Sequence, residues 1–143
     1  MRPRVYQLIP FTLGSAPSTI PHKVKPARIL IVDDDPEITR MLARSLSRLG
    51  YVVDATSSPE DALTRSRTTP YDAAILDLVM PGRDGADLAA ALRVQAPGLP
   101  IALLTGYIRS PLLEAAQRQP ATAVFSKPVA VADLADFLQA QIT

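Results

Sequence analysis

The sequence predicts an α/β fold: a doubly wound, five-stranded parallel sheet with a helix following each strand. Three observations predict it. Short aliphatic runs recur through residues 27–143, amphipathic helical patterns separate them, and most runs end in a polar residue. Strands buried on both faces read as continuous apolar runs, and alternation with helices is the mark of parallel β–α–β units with right-handed crossovers.

Arg28–Asp33 is the first predicted strand, and Pro36 and Glu37 open the first helix, as a proline and an acid do at a helix start. Ile38, Met41, Leu42, Leu46 and Leu49 form its apolar stripe, and Gly50 ends it. Tyr51–Ala55 is the second strand. Ser58, Pro59, Glu60 and Asp61 are a cap signal for a helix to about Arg67. Ala73–Asp77 is the third strand, and Pro81–Gly85 reads as a turn in which Asp84 serves. A helix over about Ala86–Gln95 follows, and Pro97–Pro100 separates it from the fourth strand, closed by Thr105. Pro111–Gln119 is a short helix, Thr122–Ser126 the fifth strand, and Val131–Ile142 the last helix, with Leu134, Phe137, Leu138 and Ile142 on one side.

Residues 1–26 differ. They hold Pro3, Pro10, Pro17, Pro21 and Pro26, which block helices and sheet ladders, and predict a flexible extension or linker. Arg2, Arg4, Lys23 and Lys25 stand there without an acid, whereas residues 27–143 carry 11 basic and 14 acidic residues. A mildly acidic domain is a poor non-specific nucleic-acid binder, so direct DNA binding is not expected. With no cysteine, disulfides and thiolate chemistry are excluded. No apolar run approaches the roughly 20 residues that span a bilayer, which predicts a cytoplasmic protein without membrane attachment.

In an open α/β sheet ligands bind at the carboxyl ends of the strands. That edge would gather Asp33, Asp34, Asp77, Thr105 and Lys127. Carboxylates about 5 Å apart repel by about 3 kcal/mol per pair at an effective dielectric near 20, so a cation among them is favoured. All-oxygen ligands suit Mg²⁺, which takes one or two carboxylates and substrate phosphate oxygens. Residues 27–143 contain ten arginines and a single lysine, Lys127, a compact point charge suited to one phosphoryl oxygen. Gly106 after Thr105 lets the backbone approach a ligand. Asp35 and Glu37 read as cap and helix-dipole residues. His22, the sole histidine, lies in the extension.

Val32-Asp-Asp-Asp-Pro36, Leu76-Asp-Leu-Val-Met-Pro-Gly-Arg-Asp-Gly85, Leu104-Thr-Gly106 and Ser126-Lys-Pro128, in that order, resemble the receiver domain of two-component response regulators. The resemblance covers about 27–143 and implies a flavodoxin-like (βα)5 fold with strand order 2-1-3-4-5. It implies that Asp77 accepts a phosphoryl group from a histidine of a kinase or phosphotransfer protein. Asp34, Asp77 and the Val79 carbonyl would bind Mg²⁺ directly, and Asp33 through water. Lys127 and Thr105 would contact phosphoryl oxygens, and a downstream protein would read the surface of the fourth helix, fifth strand and fifth helix. The protein would catalyse only its own phosphorylation and dephosphorylation. Val79 and Tyr107, two residues after Asp77 and Thr105, would shield the phosphoryl group from water.

One position departs from the family. Where many members carry Tyr or Phe three residues before the lysine, this chain has Val124, with Phe125 next. A branched valine cannot swing as a ring does, which shifts the expected output to backbone movement of the fourth helix.

Two other readings fit parts of the sequence. A haloacid-dehalogenase-like phosphatase also uses a nucleophilic Asp with Mg²⁺, and Asp33-x-Asp35 imitates its first motif. Pro36-Glu37 then breaks the pattern, and Asp133 and Asp136 fall on a predicted helix, not at a strand end. A terminal receiver of a hybrid histidine kinase would explain residues 1–26 as a linker. Met1 and the ending on the last helix favour a stand-alone protein without an output domain.

Overall fold

The computed structural model describes residues 25–106 and 111–142. Five parallel strands, β1 (Arg28–Val32), β2 (Val52–Thr56), β3 (Ala73–Asp77), β4 (Ile101–Thr105) and β5 (Thr122–Ser126), form one sheet in the order β2-β1-β3-β4-β5. Between and after them run α1 (Pro36–Arg48), α2 (Pro59–Ser66), α3 (Gly85–Gln95), α4 (Pro111–Gln117) and α5 (Val131–Ile142).

Alternation along the strands divides the core into two layers. Leu30, Val32, Ala74, Leu76, Ile101 and Leu103 pack with α2, α3 and α4 on one face. Ile29, Ile31, Ala73, Ile75, Ala102 and Leu104 pack with α1 and α5 on the other. β3 and β4 are buried throughout, as expected of central strands with helices on both sides.

Helix starts follow the local signals. Asp35 caps α1 by accepting the Glu37 N–H at 2.9 Å, and Ser58 caps α2 by accepting the Asp61 N–H at 3.1 Å. Asp84 does more than shape a turn: it accepts the Asp87 N–H at 2.7 Å and caps α3, which therefore begins at Gly85. Gly50, at φ +100°, ends α1 in the left-handed region. The α1 stripe is narrower than its sequence suggests. Leu42 and Leu46 are fully buried, but Met41 and Leu49 are exposed, because the sheet covers only about one-third of the helix circumference.

α4 ends at Gln117, two residues before the sequence pattern suggested, and β2 begins one residue later than Tyr51. Residues 1–24, including most of the expected extension with His22, and Tyr107 lie outside the described residues. Among the described residues, no helix is long and apolar enough to cross a membrane.

Candidate functional site

Register brings the acidic residues together. Val32 of β1 is paired with Leu76 of β3, so Asp33 and Asp77 stand one residue beyond that pair on neighbouring strands. The ladder continues past the strands. Asp33 N–H donates to Thr56 O, Leu78 N–H to Leu104 O at 2.8 Å, and Lys127 N–H to Thr105 O at 2.8 Å. Backbone pairing, not loop chance, therefore sets the spacing of the strand-end side chains.

Asp33, Asp77 and Thr105 are the buried polar residues of the described core, at 1%, 6% and 2% exposure. Lys127 Nζ lies 3.2 Å from Asp33 Oδ2 and 3.3 Å from Asp77 Oδ2, one ammonium shared by two carboxylates. The remaining oxygens take backbone donors: Asp35 N–H reaches Asp33 Oδ1 at 2.9 Å, and Val79 N–H reaches Asp77 Oδ1 at 3.3 Å. Asp34 is exposed at the rim and offers an oxygen to the cluster. One carboxylate oxygen from each of Asp33, Asp34 and Asp77 lies within 4.8 Å of the others.

Charge is unbalanced at this edge. Burial, and then the neighbouring Asp33 charge, push the Asp77 carboxyl up to about 6, against the pull of Lys127 and the Val79 N–H. Burial works against the Lys127 ammonium, but Asp33 and Asp77 outweigh it, so its pKa is raised. Asp33 Oδ2 is buried, and its one partner is the Lys127 ammonium at 3.2 Å. A buried, under-satisfied carboxylate oxygen beside two further carboxylates fits a hard divalent cation with water ligands.

Gly85 was not singled out by sequence reasoning. A Cβ there would fall 2.9 Å from Leu78 Cα and closer still to the Asp77 carbonyl oxygen, while Gly85 N–H donates to Leu78 O at 2.7 Å. Only a glycine lets α3 start against the backbone of Asp77. A glycine directly after a capping aspartate was the available signal.

Val124 and Phe125 face opposite sides of the sheet. Val124 packs on the α3–α4 face, whereas Phe125 packs on the α1–α5 face, edge-on to Phe137 with ring centroids 5.9 Å apart. Phe125 is thus not placed to stand in for a ring at 124. Asp133 and Asp136 are exposed on α5, not at a strand end.

A family model describing the response regulator receiver domain matches residues 29–139. The chain belongs to this family. The receiver is 38% identical over 109 residues to the response regulator receiver protein Anae109_2439 of Anaeromyxobacter, covering 76% of this chain and 46% of that protein. It is 37% identical over 92 residues to the transcriptional regulatory protein TcrA of Mycobacterium tuberculosis, covering 64% of this chain and 36% of that protein. The receiver thus spans less than half the length of these relatives. Among solved structures it resembles the chemotaxis protein CheY4 of Vibrio cholerae, with TM-score 0.74 and 29% identity, covering 82% of this chain and 99% of that one. These likenesses agree with the flavodoxin-like order 2-1-3-4-5 of the sheet.

Proposed function

We propose that this receiver accepts a phosphoryl group on Asp77, with Mg²⁺, from a phosphohistidine of a histidine kinase or histidine phosphotransfer protein in the cytoplasm. The observation that carries the reading is Lys127 shared between Asp33 and Asp77 at 3.2 and 3.3 Å, beside the exposed Asp34.

Asp34, Asp77 and the Val79 carbonyl would hold Mg²⁺, with Asp33 acting through water. The ion supplies neutralisation of the phosphate oxygens as an anionic nucleophile approaches them. An Asp77 oxygen forms the new P–O bond as the P–N bond to the donor imidazole breaks, and the departing nitrogen keeps the electron pair. The Asp77 carboxylate must be ionised to attack, and Lys127 holds it in that form. Once Asp77 is an acyl phosphate, Lys127 loses one carboxylate partner and gains a phosphoryl oxygen. Thr105, buried at the end of β4, offers a hydroxyl to a second oxygen. The added charge of roughly −1.5 to −2 is the signal. With Val124 in place of a ring, it passes through the backbone of α4 to a downstream protein.

Incubation with acetyl phosphate and Mg²⁺, followed by intact mass, tests this reading. A gain of one phosphoryl group in the wild type, lost in Asp77→Asn and on chelation, is the expected result. No gain in the wild type overturns it.

A further inference from the structure

We infer that the chain's own N-terminal segment docks, through Phe11, in a cavity at the amino ends of the strands, the end of the sheet opposite Asp33 and Asp77. The cavity, about 270 Å³, lies between Ser66 at the end of α2 and Gln95 at the end of α3. Its floor is apolar: Leu30, Leu92 and Leu99 are buried, and Ala96 packs against the same core layer. Its rim is polar, with the Ser66 hydroxyl reaching Gln95 Oε1 at 3.2 Å, and Thr68 and Pro70 are exposed at its mouth. An apolar cavity of about 150 Å³ takes a benzene ring, so this one has room for an aromatic side chain and part of a neighbour.

The route of the chain names the occupant. A second cavity, about 690 Å³, shares Thr68, Thr69 and Pro70 with the first and is lined by Lys25, Pro26 and Arg28. The exit point is fixed there, because the Arg28 N–H donates to Asp72 at 2.8 Å and Ala27 O accepts the Val52 N–H at 2.9 Å. Residues 5–13, Val-Tyr-Gln-Leu-Ile-Pro-Phe-Thr-Leu, concentrate apolar side chains, whereas residues 14–24 are rich in Gly, Pro, Ser and Thr. An apolar run is thus joined by a polar linker to the mouth of an apolar cavity. The 14 residues from Phe11 to Lys25 can extend about 43 Å at about 3.1 Å per residue, ample for two cavities that adjoin. Such a tether holds its end at about millimolar effective concentration, an advantage that a separate protein lacks. Phe11 is the anchor because its ring needs no hydrogen-bond partner on an apolar floor, whereas the Tyr6 hydroxyl would. It also stands nearer the exit point, which lowers the entropy cost of closing the loop.

The chain has no cysteine and no tryptophan, so each can be introduced as a unique probe in the full chain. Thr12→Cys/Gln95→Cys keeps Phe11 and places both thiols at the rim. In dilute solution under mild oxidation it should close an internal disulfide about tenfold faster than Thr12→Cys/Ala140→Cys, whose second thiol is exposed on α5 across the sheet. Adding Phe11→Asp should remove that advantage, and so should Ala96→Phe, which fills the cavity from within. Acetyl phosphate labelling should stay at the wild-type level in every variant, because Asp77 lies at the other end of the strands. If Ala96→Phe loses labelling through misfolding, Phe11→Asp decides alone. Separately, Phe11→Trp should emit further to the blue in the native protein than in urea. Equal disulfide rates in the two pairs, an advantage that survives either change in a protein that still labels, or native emission matching that in urea overturns the inference. Disulfide-linked dimers in place of the internal bridge assign the segment to a second copy and also overturn it.

Discussion

Around β1, β3 and α1 the sheet edge is built from charge held under constraint. Asp33 and Asp77 are buried, Lys127 bridges them, and the cap of α1 is tied to Asp33. Around β4, β5 and α4 the same sheet is held by its backbone ladder, by apolar contact and by the hydrogen bonds of Arg93, with no charged side chain in the described β4–α4 core. α4 has seven residues, of which Leu113 and Ala116 are buried, and a cavity of about 70 Å³ lies between it and α3. Alanines line that cavity, among them Ala86, Ala90, Ala115 and Ala116. The contrast teaches where free energy is stored and where it can be released. The first region concentrates titratable charge at the sheet edge, whereas the second leaves a cavity beside a short helix.

The largest effect should come from removing the shared ammonium. Lys127→Met leaves Asp33 and Asp77 adjacent, buried and without their counter-ion, and should lower stability by about 3 kcal/mol in metal-free buffer. Mg²⁺ at millimolar concentration should restore much of the loss, as read by thermal melts with and without EDTA. A loss that Mg²⁺ does not touch would show that Lys127 acts through packing, and the comparison would fail.

Asp77→Asn should have the opposite sign. The folded carboxyl is pushed up to about 6, above its ordinary value of 3.8, so the native state binds more protons than the unfolded chain. The wild type is then unpenalised below about pH 4 and loses stability as pH rises through 6. Asparagine removes that titration. In EDTA the variant should melt near wild type at pH 4 and be more stable by up to about 3 kcal/mol at pH 7.5. A gap that does not widen with pH refutes the assignment of the strain to Asp77.

These residues were legible because strand ends are marked in one dimension. An apolar run that stops at Asp33, Asp77 or Thr105 places its last side chain at the sheet edge, and Pro36 and Pro59 mark helix starts equally well. Facing was harder to read. Met41 and Leu49 satisfy a helical apolar pattern yet are exposed, because periodicity gives a stripe but not the width that a neighbour covers. Gly85 was missed because its constraint is a close approach to the Asp77 backbone, back along the chain, and its one local signal, following Asp84, shows only once Asp84 is read as a cap. Phe125 was adjacent to the expected ring position, and only strand alternation, resolved in space, puts it beside Phe137 on the other face.

A smaller effect is expected on the lifetime of the phosphorylated state. Val79 is half exposed beside Asp77 and has no polar side-chain atom to orient a water, while its N–H is engaged with Asp77. Val79→Asn should speed release of phosphate several-fold, a change of about 1 kcal/mol in barrier. The measurement is the decay of the phosphoprotein by intact mass. Loss within seconds from the wild type would show that Val79 does not shield the group.

The smallest effect belongs to the apolar region. Ala115→Leu adds apolar atoms beside a cavity of about 70 Å³ lined by Ala86, Ala90, Leu103 and Thr122. Each buried methylene is worth about 0.8 kcal/mol, and part of that is returned as strain, so a gain of about 0.5–1 kcal/mol is expected. The gain should be the same with Mg²⁺ and with EDTA, and the same at pH 5 and pH 7.5, because no charged group lies in the filled space except Arg93. That guanidinium is already engaged, donating to Leu99 O, Ala121 O and the Thr122 hydroxyl at 2.9–3.2 Å. If filling the cavity instead changes the Mg²⁺ response, the two regions are coupled before phosphorylation, and α4 already senses the charge at the sheet edge.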